Sequence, residues 1–397
     1  MNDASFSGPP SPRAGRWDVS RAGGETVRAF VPAPLPPDPP LRLDAQLQDL
    51  LERANLAVGR LDGAATLLPE ADVFLYSYIR KEAVLSSQIE GTQSSLSELL
   101  FYESAASPGA PLDDVREVSR YVAAMDHGLK RMGEGFPLSL RLMREMHAIL
   151  LKGARGADKG PGEFRRTQNW IGGSRPGNAL YVPPPPHEVL PAMSALEKFI
   201  HDKPRRVSPL LKAGLVHAQF ESVHPFLDGN GRLGRLLIAL LLAQDKVLSR
   251  PLLYLSLYFK ENRADYYERL QDVRRNGAWE RWLVFYLKGV GEVADQAAAT
   301  ARRATALFAQ HREKIRALGR AGFTAERVHG LMERRVVATA PRAAKELRLS
   351  FPAAAKALRN LKALGIAREI TGRAASKVYV YQPYLEILAQ GAEEPLV

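Results

Sequence analysis

Apolar residues recur three or four positions apart over most of the chain, which is the spacing of one face of an α-helix. This pattern runs from about Leu41 to about Leu318, where Gly319 is a natural helix end. Residues 162–186 interrupt it with paired glycines, a Pro-Gly step and an aromatic-rich flank. The hydrophobic pattern therefore predicts a helical body that carries one β-hairpin flap.

The last 80 residues have a different pattern. A short helix fits Pro341 to Leu347, and a second helix fits the stretch from its cap at Ser350 to its stop at Gly365. Two alternating segments, IAREI and KVYVY, then flank a turn that contains Gly372. This order of helix, turn, helix and two-stranded hairpin resembles a winged-helix domain, an α+β unit.

Positive charge is concentrated in the same region. From residue 301 to the end there are 18 Lys and Arg against 8 Asp and Glu, so most of the net charge of +12 lies there. The second helix would present Lys356, Arg359 and Asn360 to solvent, where basic side chains contact phosphates and the amide reaches a base edge. A solvated basic surface and a protein-contact domain are the open alternatives to nucleic-acid binding.

Composition narrows the class of protein. Apolar residues make up 46% and charged residues 25%, and there is no cysteine, which excludes disulfides, zinc fingers and thiolate nucleophiles. The longest apolar run has eight residues, far below the roughly 20 that cross a bilayer. The first ten residues do not resemble a secretory signal. We expect a cytoplasmic protein.

Proline content and periodicity together predict five segments. Residues 1–40 hold 9 of the 28 prolines and predict an extended, poorly ordered arm. An N-terminal helical region at 41–110, a core at 111–300 and a linking helix at 301–320 follow. Residues 321–397 form the winged-helix-like unit.

The chemistry is concentrated in HPFLDGNGRLGR, residues 224–235. Its glycines also fit a dinucleotide-binding pattern, but the residues before it predict a helix rather than the strand that such a site requires. A calcium loop counted from Asp228 would place Ala239 where a bidentate glutamate belongs. No Gly-Lys-Ser/Thr is present, so this is not a Walker loop.

The remaining interpretation of this segment is a helix, a loop and a second helix, in which the loop and the N-terminus of the second helix are suited to an anion. Gly229 and Gly231 allow close approach of the backbone to an anion, and the helix N-terminus adds partial positive charge. Arg232 and Arg235 add two forked donors suited to phosphate oxygens.

Two further side chains complete the set. Asp228 supplies a hard carboxylate, which suits Mg²⁺ bound jointly with phosphates. His224, with an ordinary pKa of about 6.5, can accept a proton near neutral pH. The whole constellation is typical of phosphoryl or nucleotidyl transfer.

The same twelve residues resemble the motif of the Fic family, His-x-Phe-x-Asp/Glu-Gly-Asn-Gly-Arg-x-x-Arg, at every defined position. The resemblance implies a mainly α Fic core and transfer of AMP from ATP to a protein hydroxyl. It implies that His224 is the base, that Asp228 holds Mg²⁺ or Mn²⁺, and that Phe226 packs in the core. The ATP-binding residues implied by the motif are Gly229, Asn230, Gly231, Arg232, Leu233, Gly234 and Arg235.

Flanking residues extend this resemblance. The family's target-docking hairpin corresponds to Tyr181, Val182, Pro183 and Pro184. In ADYYERL, Tyr266 is the first choice for an aromatic side chain beside adenine, and Tyr267 is the second. Helix packing is the alternative for both tyrosines. We expect His217, seven residues before His224, to be a buried structural histidine.

A second element, SSQIEG at residues 86–91, places Ser86 and Glu90 on one helical face before Gly91 ends the helix. It resembles the family's inhibitory motif, Ser/Thr-x-x-x-Glu-Gly/Asn. By that resemblance Glu90 pairs with Arg235 in the place that the γ-phosphate needs. One arginine fork cannot serve a carboxylate and a phosphate together.

With the winged helix, nearly the whole chain resembles a common bacterial architecture. It predicts a protein adenylyltransferase that uses ATP, acts on a Tyr, Thr or Ser of a protein and on itself, and is auto-inhibited. The alternatives are a hydrolase that removes AMP at the same site and a DNA-binding regulator whose core senses nucleotide. A homodimer and DNA as a partner are left open, and no membrane contact is expected.

Overall fold

Helices make up most of the protein, as the apolar spacing predicts. The computed structural model describes residues 10–22, 25–66, 71–104, 112–202, 207–372 and 377–392. The helices of the described residues are α1 (Ala45–Thr66), α2 (Ala71–Ile89), α3 (Leu96–Glu103), α4 (Leu112–Gly133), α5 (Leu140–Leu150), α6 (Pro186–His201), α7 (Pro209–Val223), α8 (Asn230–Gln244), α9 (Ser256–Glu261), α10 (Arg263–Asn276), α11 (Trp279–Arg316), α12 (Arg320–Arg335), α13 (Ala340–Leu347), α14 (Phe351–Ala363) and α15 (Gln382–Ala389). The strands are β1 (Gly15–Ala22), β2 (Glu25–Pro32), β3 (Val337–Thr339), β4 (Arg368–Glu369) and β5 (Val378–Val380).

The core is built around α7 and α8, which are buried on nearly all sides. Residues 236–242 of α8 are all buried, because this stretch is apolar around its whole circumference. The 38-residue α11 packs against α7, and the indole nitrogen of Trp282 donates to the carbonyl of Gly214 at 2.8 Å. No helix among the described residues has the length and apolar character needed to cross a bilayer.

The N-terminal segment differs from the extended arm that its prolines predict. Residues 1–9 lie outside the described residues, but β1 and β2 form an antiparallel hairpin in which Trp17 faces Phe30. The alternation in ETVRAFVP accounts for this, since one face of β2 packs Val27 and Ala29 with Val182, while Phe30 on the other face packs with Tyr181. The prediction was wrong here because it gave more weight to the flanking prolines than to the short alternation of apolar and polar residues in ETVRAFVP.

The C-terminal elements follow the predicted order. Ser350 caps α14 by accepting from the amide of Ala353, and the strands form a sheet in the order β3-β5-β4. The winged-helix assignment itself stays a prediction. The predicted boundary between residues 300 and 301 falls inside α11, which is continuous there, and the boundary at 110 lies outside the described residues.

Candidate active site

The segment from His224 to Arg235 joins the two most buried helices. His224 follows the last residue of α7 with a left-handed backbone (φ 47°), and its amide donates to the carbonyl of Phe220 at 2.9 Å. Gly229, with φ 77°, precedes the first residue of α8. Left-handed geometry is uncommon outside glycine and often marks functional positions. The predicted helix, loop and helix are confirmed.

Arg165 fixes the backbone of His224 and is absent from the motif. Its Nε donates to the carbonyl of His224 at 3.0 Å, and its side chain is only 3% exposed. Burial, with the positive charges of Arg274 and Arg165, lowers the pKa of His224. The imidazole is therefore neutral near pH 7 and able to accept a proton. The sequence signal for Arg165 is weak: a basic pair inside the flap segment.

Polar side chains brace the loop from within. Asn230 accepts from the amide of Phe226 at 2.9 Å and donates to its carbonyl at 2.8 Å. His147 accepts from Gly162 at Nδ1, so its Nε2–H donates to the carbonyl of Asp228 at 2.9 Å. Burial lowers the pKa of His147 to about 4, which keeps it neutral. The side-chain amide of Asn230, predicted to bind phosphate, thus already forms hydrogen bonds with the backbone of its own loop.

Leu233 and Gly234 also differ from their predicted role as nucleotide contacts. Leu233 is fully buried, and its amide donates to the carbonyl of Gly229. A Cβ on Gly234 would lie 2.3 Å from a carboxylate oxygen of Glu221, so this glycine is required by packing. The carbonyl of Gly234 accepts from His217 at 2.9 Å. Both residues build the helix beneath the site.

The carboxylate of Glu90 lies over the first turn of α8. A Cβ on Gly231 would be 2.3 Å from Glu90 Oε1, so glycine at this position lets the carboxylate lie against the turn. Arg235 binds the same Oε1 at 2.7 Å, and it also donates to the hydroxyl and carbonyl of Ser86 at 2.8 and 2.9 Å. Gly91 ends this helical segment with φ 93°.

Charge stabilises this arrangement. Burial alone would raise the pKa of the Glu90 carboxyl, but the Arg235 guanidinium lowers it below its usual value. Burial likewise opposes the charge of Arg235, and Glu90 more than compensates, so that the pKa of Arg235 is raised. Both groups are charged, and the residues predicted for an inhibitory contact are brought together as an ion pair.

Arg232 is enclosed between two other carboxylates. Its Nη1 lies 2.8 Å from Glu117 Oε1, and its Nη2 lies 3.2 Å from Asp228 Oδ1. The Arg232 side chain is 1% exposed, whereas that of Asp228 is 34% exposed. Glu117 lies on α4, more than 100 residues from the motif, and no local sequence pattern identifies it.

The two tyrosines of α10 exchange their predicted order. Tyr266 is 1% exposed, its ring stacks on Phe259 at 4.5 Å, and its hydroxyl lies 2.9 Å from His217 Nε2. Neither face is available to adenine, so the choice of Tyr266 was wrong. Tyr267 is 43% exposed, and burial together with the charge of Glu90 raises its pKa. Its ring is therefore accessible from solvent, unlike that of Tyr266.

The flap edge predicted to dock a target is already occupied. The flap closes through one bridge, in which Tyr181 uses its N–H and C=O on Ile171. The carbonyl of Val182 accepts from the amide of Phe30 at 2.9 Å. Pro183 and Pro184 have no N–H, and their carbonyls accept from flap side chains. This edge has too few free groups to pair with an added strand.

The opposite strand of the flap is open. Within the described part of the chain, the backbone N–H and C=O groups of Trp170 and Gly172 have no hydrogen-bond partner. Trp170 is 39% exposed, and the neighbouring Asn169 donates to the carbonyl of Phe226 at 3.0 Å. That bond ties this strand directly to the motif loop.

The residues predicted to contact DNA lie on α14, among the C-terminal elements. Lys356 and Arg359 are exposed on α14, and Asn360 is half-buried. No ion pair engages either basic side chain among the described residues, so their charge faces solvent.

Comparisons with known proteins agree with this geometry. Residues 48–130 match the family model described as Fic/DOC family N-terminal, and residues 137–242 match the Fic/DOC family model. The protein adenylyltransferase Fic of Drosophila grimshawi is 28% identical over 204 residues, which cover 49% of this chain and 40% of that protein. Its namesake from Culex quinquefasciatus is 29% identical over 187 residues, 46% of this chain and 34% of that protein. The chain spans less than half the length of these relatives.

A solved structure supports the fold. The Fic family protein from Desulfovibrio desulfuricans G20 aligns over 86% of this chain and 97% of its own, with a TM-score of 0.57 at 20% identity. The shared fold therefore covers most of the chain.

We predict that Tyr266→Phe lowers the free energy of unfolding by about 1–3 kcal/mol, because His217 Nε2 loses its donor in a buried site. Urea denaturation measures this loss. The matched control is Tyr267→Phe at the next position, which is expected to change stability by less than about 0.5 kcal/mol. Equal losses in the two variants would contradict the structural role of Tyr266.

Proposed function

We propose that this chain, which carries the Fic/DOC family N-terminal region and the Fic/DOC domain, transfers AMP from ATP to a protein hydroxyl. The observation that carries the proposal is that a buried arginine already holds a carboxylate next to backbone amides that are unpaired in the described chain. The Glu90 carboxylate is held by Arg235 over the first turn of α8, where the amides of Gly231 and Arg232 have no acceptor in the described chain. A site that binds one oxyanion in this way suits phosphate oxygens.

In the proposed reaction, His224 accepts the proton of a Tyr, Thr or Ser hydroxyl on the target. The hydroxyl oxygen attacks the α-phosphorus, the bond from that phosphorus to the bridging oxygen breaks, and pyrophosphate leaves. Arg232 and Arg235 stabilise the charge on the departing phosphates. The neutral state of His224 supports its role as base.

Mg²⁺ or Mn²⁺ fits the donor set at Asp228. Oδ1 of this residue contacts the Gly229 amide and Arg232, while Oδ2 has no protein donor among the described residues. One carboxylate with several phosphate oxygens is a usual Mg²⁺ environment. When bound, the ion would neutralise phosphate charge. The cluster of three possible metal ligands in the described chain is Asp18, His187 and Glu188, which does not include Asp228.

The target is proposed to dock on the open strand of the flap. Trp170 offers an unpaired backbone N–H and C=O to an added strand, before the backbone becomes left-handed at Gly172 (φ 68°). Asn169 links this edge to the loop that holds His224. Tyr267 is proposed as the aromatic side chain beside adenine. We place the reaction in the cytoplasm, consistent with a chain that has no cysteine.

Two alternative functions rest on features described above. Glu90 could orient water for removal of AMP from a modified protein, which the ion pair with Arg235 would permit. The exposed Lys356 and Arg359 favour a DNA-binding regulator as the other candidate. Incubation with α-labelled ATP separates them: label on protein supports the transferase, and salt-dependent duplex binding without label supports the regulator.

We expect His224→Ala to abolish transfer of label from α-labelled ATP while ATP still binds. Loss of a general base lowers rates by about 10²–10⁴-fold. The control is His187→Ala, an exposed histidine outside the motif that should label at the wild-type rate. Wild-type labelling by His224→Ala would refute the assigned role.

Glu90→Gly should raise self-labelling by about tenfold to a hundredfold, because a charge-assisted pair worth about 1.5–3 kcal/mol no longer competes with the γ-phosphate. Labelling with α-labelled ATP measures the gain. Adding Arg235→Ala should remove it, since the freed guanidinium is what the phosphate uses. Unchanged labelling in Glu90→Gly would rule out inhibition. Loss of AMP removal instead of a gain in labelling would assign Glu90 to hydrolysis.

Lys356→Ala combined with Arg359→Ala should weaken duplex DNA binding and reduce the slope of log K against log salt by about 2. Titration at several salt concentrations tests this. The control, Arg53→Ala with Lys130→Ala, removes two exposed charges from the helical body and should leave the slope unchanged. An intact protein with no salt-dependent DNA binding would exclude a nucleic-acid role.

A further inference from the structure

Glu117 is a buried carboxylate that reaches the site from outside the motif. Glu117 is 2% exposed. Its Oε1 lies 2.8 Å from Nη1 of Arg232, whose side chain is 1% exposed. A guanidinium removed so fully from water needs a counter-charge close by. Glu117 supplies that charge from the second turn of α4.

The same carboxylate also contacts the turn that follows Glu90. The hydroxyl of Thr92 donates to Glu117 Oε1 at 3.2 Å, and Arg155 approaches it at 3.4 Å. Arg155 donates to the backbone carbonyl of Glu90 at 3.3 Å as well. Glu117 therefore has a fixed position, set by two hydrogen-bond donors and one ion pair from three different segments.

Exposure separates Glu117 from the carboxylates that would meet a phosphate. The side chains of Glu90 and Asp228 are 32% and 34% exposed, so both line open space. Glu117 lies behind Arg232, out of that space. Neither Nε nor Nη1 of Arg232 has a hydrogen-bond acceptor among the described residues, so Glu117 holds Nη1 by charge at 2.8 Å and both groups remain donors for ligand oxygens. Glu117 thus holds the guanidinium without occupying the place of the ligand.

We propose that Glu117 is a positioning residue that directs Arg232 toward the phosphates beyond the α-phosphate of ATP. The inference rests on the proposed function. Without the Glu117 charge, Asp228 is the remaining carboxylate on Arg232 and draws the guanidinium toward itself. The fork then no longer presents its donors to a phosphate.

The test is the affinity of ATP, with Mg²⁺, measured by calorimetry in a Glu90→Gly background. Glu117→Gln keeps the shape and the acceptor for Thr92 but removes the charge. We expect it to weaken ATP binding by about tenfold or more, and adenosine binding by less than about twofold, because adenosine has no phosphate. In an Arg232→Ala background, Glu117→Gln should cause no further loss.

The matched control is Asp114→Asn, one turn earlier on α4, whose carboxylate binds the amide of Gln93 but not Arg232. It should leave both affinities unchanged. If Glu117→Gln does not fold by circular dichroism, Glu117→Asp gives the second test, since it keeps the charge but withdraws it from Arg232. The same loss for ATP and not for adenosine is expected.

The outcomes are distinct. Unchanged or tighter ATP binding in the Glu117 variants overturns the inference, and tighter binding would make Glu117 a second competitor of the phosphate. Equal losses for ATP and adenosine also overturn it, since they indicate a general effect on the fold. If the Glu90→Gly protein itself binds no ATP, the proposed function fails first, and this inference fails with it.

Discussion

A guanidinium buried as deeply as that of Arg235 needs a counter-charge, and Glu90 provides it. Removing the Arg235 guanidinium from water costs several kcal/mol, which is offset here by a 2.7 Å contact with Glu90 and two further bonds to Ser86. The geometry of the site depends on this pair. It ties the end of α2 to the first turn of α8, where Gly231 leaves room for the carboxylate. An anion that took the place of Glu90 on Arg235 would replace one negative charge with another.

Helix α2, which ends one residue before Glu90, packs against both the helical body and the C-terminal elements. The guanidinium of Arg335 in α12 lies 4.9 Å from the ring centre of Tyr76 in α2. Near the other end of α2, Gln88 accepts from Lys260 at 2.9 Å and donates to the carbonyl of Ala392, which is fully buried. The body and the C-terminal unit therefore share α2. Because packed interiors transmit displacement, a movement of the C-terminal unit must either break these contacts or shift α2 with it.

Local features of the fold could be predicted from the sequence, but contacts between segments that are far apart in the chain could not. The cap at Ser350 and the loop before α8 are decided by neighbouring residues. Arg165 and Glu117 reach the motif from elsewhere in the chain, and no spacing rule could connect them to it. The choice between Tyr266 and Tyr267 failed for a related reason. Adjacent helical positions point about 100° apart, and the buried side depends on where α10 lies against the rest of the core.

The N-terminal hairpin determines what the flap can do. One flank of the flap strand at Tyr181 pairs with Ile171, and the other flank gives the carbonyl of Val182 to the amide of Phe30. The rings of Phe30 and Tyr181 pack at 6.2 Å on the same side. β2 therefore lies beside this edge and binds one of its carbonyls, in the place that an added segment would need. A flap strand with both flanks in use cannot accept a third strand, so any segment that extends the flap must pair beside Trp170, the side tied to the motif loop.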